Sequence, residues 1–387
     1  MARRPSDPVG SSGAPVRLTL VISSLGSGGA ERVMAIMANY WASHGRPVTL
    51  LTFMAPDEPS FFSVDGGVEI KQLDLIGPAS NIVAGLKANL RRVREIRRAI
   101  RASKPDVVIS FMDRTNVLTL VATVGLGVPI VVEEHNDPHE ERLDARWTML
   151  RRITYQWAAR VVTLSEPALA YFSPSIRRRG LVIPNPVVPP AGARVPGTQG
   201  EVVAGPTILA VGRLVPQKGF DLLLEAFASL EPRRRGWTLQ ILGEGSARAE
   251  LEATRERLGL SDVVDLPGVV TTPGAAMARA TLFVLSSRYE GFPTVLGEAM
   301  AVGLPVVAFD CPSGPRQMIR AGVDGILVPR DDVAALAREI ERVLCDDELR
   351  SRLAAQAPEV LERFGLTAIM ERWQVLIDEL LAPVARV

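Results

Sequence analysis

Two segments of the chain are built alike. RLTLVISSLGSGGAERVMAIMANYWASHG (17–45) and PTILAVGRLVPQKGFDLLLEAFASL (206–230) each pass from a β-rich apolar run, through a glycine-containing loop, into apolar residues at three-to-four spacing. That change of period marks a strand, a turn and a helix. Behind the first follow the strand-like runs VTLLTF (48–53), DVVISF (106–111), IVVEEH (130–135) and VVTLSE (161–166), alternating with helical stretches. Behind the second follow WTLQILGEG, TLFVLSS, LPVVAFD and GILVP. Alternation of this kind predicts parallel sheets with helices on both faces. A chain of 387 residues is too long for one core, so the pattern predicts two Rossmann-like α/β domains.

The stretch PNPVVPPAGARVPGTQGEVVAG (184–205), rich in Pro and Gly, reads as the boundary. The expected layout is a disordered tail at 1–14, an N-terminal domain at 15–188, a linker at 189–204 and a C-terminal domain at 205–364. A closing helix at 365–387 follows Phe364-Gly365 and can pack on either domain, crossing back to the first. The basic and then polar start shows no apolar core of a signal peptide. The run VLTLVATVGLGVPIVV (117–132) is shorter than a bilayer span and is broken by Gly127 and Pro129, so it reads as a buried helix and then a strand. Two cysteines, Cys311 and Cys345, make no disulfide framework, which fits a reducing compartment. A soluble cytoplasmic protein is expected.

Ligands of open α/β sheets bind beyond the carboxyl ends of the strands. Four loops carry polar content there. SSLGSGGAER (23–32) has Gly26, Gly28 and Gly29, which allow close backbone approach to a phosphate or sugar, although packing alone also explains them. The segment is neither the dinucleotide fingerprint nor a P-loop. That absence argues against an NAD(P)-linked oxidoreductase. EEHND (133–137) places His135 at a strand end. His135 and His139 are four apart, but Pro138 argues against a shared helical face and hence against a metal site. GRLVPQKGFD (212–221) brings Arg213 and Lys218 to the start of a helix, two cations able to stabilise a leaving diphosphate. SRYEGFPTVLGEAM (286–299) carries Glu290 and Glu298. Gly291 and Pro293 interrupt any single helix, leaving Glu290 on a loop and Glu298 in the first turns of a helix.

These loops together resemble the family 4 retaining glycosyltransferases, over about residues 16–330. The pieces are GGAERV, EEHND, VGRLVPQKGFDLLLEAF and EGFPTVLGEAMAVGLPVVAFD. The resemblance implies an α/β GT-B fold, two facing Rossmann-like domains with an interdomain cleft. It implies that Arg213 and Lys218 hold the donor's diphosphate, that Glu298 binds the ribose hydroxyls, and that Glu290 touches the sugar, with the backbone of Gly291, Phe292, Pro293, Thr294 and Val295 alongside. His135 is similar to the histidine facing the donor sugar, and Gly28 and Gly29 to the loop beside the phosphates and acceptor. Such enzymes retain the anomeric configuration and need neither metal nor cofactor. DCPSGPRQMIRAGVDGILVP (310–329) is similar to a segment of bacterial capsule and exopolysaccharide transferases, with Gln317 where that pattern has Glu. A hexosyltransferase using a UDP-sugar and a sugar or lipid-linked glycan acceptor is expected. A GDP-mannose-dependent mannosyltransferase and an inactive nucleotide-sugar-binding assembly protein are the alternatives.

The formal charge of +1 hides an asymmetry: residues 1–200 hold 24 Lys and Arg against 17 Asp and Glu, and residues 201–387 hold 20 against 26. NIVAGLKANLRRVREIRRAIRASK (81–104) has eight cations and one acid, with Val83, Leu86, Leu90, Val93, Ile96 and Ile100 at helical spacing. The expectation is an amphipathic helix whose apolar face packs on the sheet. Its outward cations, with RWTMLRRITYQW (146–157) and IRRRG (176–180), would draw the chain to an anionic membrane surface. Without interleaved aromatics, nucleic acid is a poor partner.

Overall fold

The computed structural model describes residues 15–77, 82–192, 206–231, 235–270, 273–311 and 313–382. The expected tail at 1–14, residues 193–204 of the expected linker, and the side chain of Val83 lie outside the described residues. The chain divides into two compact units, residues 1–184 with 370–387, and residues 185–369. The division falls at Pro184 and Asn185. Val187, just beyond it, bridges to Gly365 and donates its N–H to the Phe364 carbonyl, which ties this stretch to the second unit.

In the first unit the described strands are β1 (Leu18–Val21), β2 (Val48–Thr52), β3 (Val68–Gln72), β4 (Val107–Phe111), β5 (Ile130–Glu134), β6 (Arg160–Thr163) and β7 (Gly180–Val182). They pair in the order β3-β2-β1-β4-β5-β6-β7, and every pairing is parallel. Strands β1, β2, β4 and β5 are buried at every residue. That is why they read as continuous apolar runs rather than alternating ones. In the second unit β8 (Thr207–Val211), β9 (Thr238–Leu242), β10 (Val264–Gly268), β11 (Leu282–Leu285), β12 (Val306–Asp310) and β13 (Ile326–Pro329) pair in the order β10-β9-β8-β11-β12-β13, again all parallel. The order reverses between β1 and β4 and between β8 and β11, the positions where loops part and leave a crevice. The run 117–132 is a helix ending at Thr123 and the strand β5, as expected.

The helix Ile82–Ser103 corrects one expectation. Ile96 and Ile100 are buried and Val93 packs against the core, but Leu86 and Leu90 are 63% and 55% exposed. Among its described side chains, those of the later turns join the core. Its cations also serve inside the unit: Arg97 donates to the carbonyls of Ala122 and Val124, capping the end of the helix Asp113–Thr123. Arg151, expected at the basic surface, is buried.

The closing helix, Leu366–Leu381, contributes Trp373, which is fully buried and meets Trp41 edge to face at 6.3 Å. Replacing it leaves a cavity that close-packed neighbours cannot fill. Trp373→Ala is expected to lower the unfolding free energy by about 3–5 kcal/mol, measured by chemical denaturation.

Candidate functional site

In the second unit, strands β8 and β11 are neighbours, so the loops that follow them leave the sheet side by side. After β8 comes a 3-10 turn, Pro216–Lys218, and then Gly219, which begins the helix Phe220–Ser229. Gly219 has φ 60°, and a Cβ there would run into the Ser286 carbonyl oxygen. Only glycine allows that approach. Four links then fasten the turn to the β11 loop. Arg288 N–H donates to the Gln217 carbonyl, Gln217 Nε2 to the Tyr289 carbonyl, and Ser286 Oγ to the Lys218 carbonyl. The Arg288 guanidinium donates to the Pro216 carbonyl and to both carboxylate oxygens of Asp221.

This fastening brings Lys218 Nζ to 2.6 Å from Glu290 Oε1, and Ser287 Oγ donates to the same oxygen at 2.6 Å. The two charged side chains are 15% and 7% exposed, so the pair is largely withdrawn from water. Arg213 is exposed. Beyond Glu290, Phe292 is buried against Phe364, with ring centroids 5.4 Å apart, and Pro293 caps the helix Thr294–Ala301. No side chain caps this helix. The N–H groups of Thr294 and Val295 begin it and form a site that favours an anion. Pro293 itself carries no N–H, so the expected row of amides along 292–295 has a gap there. Glu298 stands one turn in and is 2% exposed. Glu290 on a loop and Glu298 on a helix is the arrangement expected for them.

In the first unit, Gly28 caps the helix Gly29–Ser43. A Cβ at Gly28 would meet the Glu31 carboxylate, which accepts a hydrogen bond from Ser24 Oγ at 2.9 Å, whereas one at Gly29 would meet open space. The Glu31 carboxylate thus fills the space that a side chain at Gly28 would need.

At the end of β5, three polar residues in a row are buried: Glu133, Glu134 and His135. Alternation along the strand sends Glu134 to one face and the other two to the opposite face. Glu134 accepts from the Tyr155 hydroxyl and lies 3.6 Å from Arg151 Nη1. Asn116 donates to the Tyr155 oxygen and to the Glu133 carbonyl. On the opposite face, His135 stacks obliquely on Phe111 with centroids 4.4 Å apart, and its Nε2 is 3.3 Å from Glu133 Oε1. The residue after Phe111, Met112, has φ 74°, a strained value for a side chain of its kind. Among the described residues, no group of three or more His, Cys, Asp and Glu side chains is placed to hold a metal ion.

The family model described as "Glycosyl transferases group 1" matches residues 198–360, and that described as "Glycosyl transferase 4-like domain" matches residues 28–186. The chain belongs to the family 4 glycosyltransferases. A Campylobacter jejuni relative is 29% identical over 94% of this chain and 99% of its own. Its name describes an alpha-1,4-N-acetyl-D-galactosaminyltransferase acting on a diNAcBac-PP-undecaprenol-linked GalNAc disaccharide. The sucrose-phosphate synthase of Thermosynechococcus elongatus superposes with TM-score 0.79 at 21% identity, covering 95% of this chain and 99% of that one. Anabaena HepE, crystallised with UDP and glucose, superposes with TM-score 0.76 at 19% identity, covering 94% and 99%. The fold of this glycosyltransferase is GT-B.

Several residues of the glycosyltransferase escaped the reading of its sequence. Ser287, Arg288 and Gln217 build the Lys218–Glu290 contact, and nothing in their types announces it. Glu133 and Glu134 had a signal: two carboxylates prolonging an apolar strand must be buried or end it.

Burial raises the Glu134 carboxyl to about 7 against the pull of Arg151, and lowers the His135 imidazole to about 3. Burial also holds Glu133 well above the usual carboxylate range. Folded Glu134 keeps its proton up to about pH 7 while the unfolded chain loses it near 4.5, so its contribution to stability is complete below 4.5 and is lost as pH rises through 7. His135 acts in the opposite sense between about 3 and 6.5. Comparison with Glu134→Gln isolates the first effect. The unfolding free energy of wild type minus variant is expected to fall by roughly 1–3 kcal/mol between pH 4.5 and 7.5, read from urea denaturation at each pH.

Proposed function

We propose that this glycosyltransferase moves a hexose, with retention of configuration, from a nucleotide-diphosphate sugar to a sugar or lipid-linked glycan acceptor in the assembly of a cell-surface polysaccharide or glycoconjugate. The observation that carries the reading is the Lys218–Glu290 contact, formed between the two loops that also carry exposed Arg213 and the uncapped helix at Thr294, at the point where the strand order of the second unit reverses. A cation, a hydroxyl-binding carboxylate and a helix N-terminus are the groups that a sugar diphosphate needs.

In this reading Arg213 and Lys218 neutralise the diphosphate as it leaves, taking the part a metal would otherwise play, and no cofactor is called for. The diphosphate competes with Glu290 for the Lys218 ammonium, which frees the carboxylate for sugar hydroxyls. Glu298 receives the ribose diol, and the backbone of Gly291, Phe292, Thr294 and Val295 lines the sugar and phosphate. For the first unit we infer His135 as the histidine serving the donor sugar, and Gly28 and Gly29 as the turn serving the phosphates and acceptor. UDP is the favoured nucleotide, supported by UDP in the HepE structure of the same fold. A lipid-linked acceptor is supported by the undecaprenol-linked substrate in the Campylobacter relative's name.

Thermal stabilisation by a panel of donors tests this: UDP-glucose, UDP-galactose, their N-acetylated forms, GDP-mannose, NAD and NADP. A ligand that binds only the folded chain raises the melting temperature. One UDP-sugar is expected to do so, and Arg213→Ala to abolish the shift and lower transfer by about 10²-fold. A shift with GDP-mannose alone makes it a mannosyltransferase. Full transfer by Glu290→Ala, or a response to NAD or NADP alone, would overturn the reading.

A peripheral contact with an anionic membrane belongs to the same proposal. Among the described residues no helix is long and apolar enough to cross a membrane. Leu86 and Leu90 are exposed beside the cations of their helix, and Met149, Ile153 and Trp157 are exposed beside Arg146 and Arg152. Apolar side chains flanked by cations suit the head-group region. Co-sedimentation is expected with anionic vesicles and to weaken in salt; equal binding to neutral vesicles would sink it.

A further inference from the structure

Glu133 has no part in the chemistry above, yet it is buried at the same strand end as His135 and shares its face. The side chains are 1% and 4% exposed, and Oε1 of the one lies 3.3 Å from Nε2 of the other. Nε2 of His135 and Oε2 of Glu133 are enclosed and, as placed, make no hydrogen bond. Buried polar atoms rarely stay unpaired. A carboxyl group turns easily about its last torsion, so the two groups can close on each other without moving the backbone.

The chemistry of the closed pair follows from its surroundings. The buried cation of this region, Arg151, engages Glu134 on the opposite face of the strand. An ion pair between Glu133 and His135 would therefore be an isolated one out of water, where the cost of removing both charges from solvent is hard to recover. Burial acts on each group in the direction of neutrality, holding Glu133 protonated and His135 unprotonated. Between a neutral carboxyl and a neutral imidazole, the carboxyl O–H is the stronger donor and the unprotonated ring nitrogen the stronger acceptor.

We propose that Glu133 is a positioning residue: its carboxyl donates a hydrogen bond to Nε2 of His135 and holds the imidazole as the Nδ1–H tautomer, seated on Phe111. The ring nitrogen not committed to Glu133 is then a hydrogen-bond donor, suited to a sugar hydroxyl oxygen as acceptor. His135 neither takes nor gives a proton in this role. Only the word "sugar" rests on the proposed function; the tautomer does not.

The experiment is nitrogen NMR of the whole chain labelled with 15N-histidine. The chain has three histidines, so loss of one set of signals in His135→Gln identifies His135. Wild type is expected to show protonated Nδ1 and bare Nε2. Glu133→Gln, whose amide N–H can still donate, keeps that tautomer. Glu133→Leu, which cannot, lets the ring turn to the Nε2–H form that unconstrained imidazole prefers. Transfer should fall by about tenfold or more in Glu133→Leu, the loss expected for one buried hydrogen bond, and recover in part in Glu133→Gln. Protonated Nε2 in wild type overturns the proposal, with no variant required. So does an unchanged tautomer in folded Glu133→Leu. Failure of the glycosyl-transfer reading would show separately, as a wild-type chain that no nucleotide sugar stabilises.

Discussion

Parallel pairing is the constraint on which the rest of the molecule depends. Every pairing in both sheets is parallel, so within each unit the carboxyl ends of the strands and the starts of the following helices gather on one edge. The partial positive charge of helix starts and the free ends of loops gather there too. Reversal of strand order between β8 and β11 makes neighbours of two loops far apart in the chain. Lys218 and Glu290, 72 positions apart, meet because β8 and β11 are hydrogen-bonded to each other.

The two units treat charge at that edge differently. In the second, Lys218 and Glu290 are largely withdrawn from water, but each has an opposite charge 2.6 Å away. In the first, carboxylates and a histidine continue β5 into the interior, and burial drives Glu133, Glu134 and His135 towards their neutral forms. Arg151, which composition alone would assign to the surface, is drawn in beside Glu134 and stacks on Tyr171 and Phe172. A buried carboxyl held by a guanidinium, a tyrosine hydroxyl and an asparagine amide that reaches that hydroxyl is a connected polar network around one buried cation.

The readability of the strands tracks their burial. β1, β2, β4, β5 and β11 stand out as apolar runs because both faces are covered. Three strands did not stand out: VEIKQ (β3), GLV (β7) and VDLPG (β10). All three lie at sheet edges, where one face or one side meets water and the apolar signal thins. β10 even carries a proline and a register shift, both tolerated at an edge. The helix 82–103 shows the converse: Leu86 and Leu90 have the right period for a buried face, yet the helix reaches beyond the core that would cover them.

By itself the sequence determined the α/β class, two β-loop-α openings, the loop setting of Glu290 and the helical setting of Glu298, because period and Gly/Pro punctuation are local properties of the backbone. The tertiary structure alone decided which polar groups meet. That Arg288 ties the Pro216–Lys218 turn to the β11 loop, that Lys218 faces Glu290, that Arg151 turns inward to Glu134 and that Glu133 faces His135 all depend on strand neighbours and on which face of a strand is covered. Strand order joins residues remote in the chain, and a side chain's charge and partner follow from how much water that joining leaves around it.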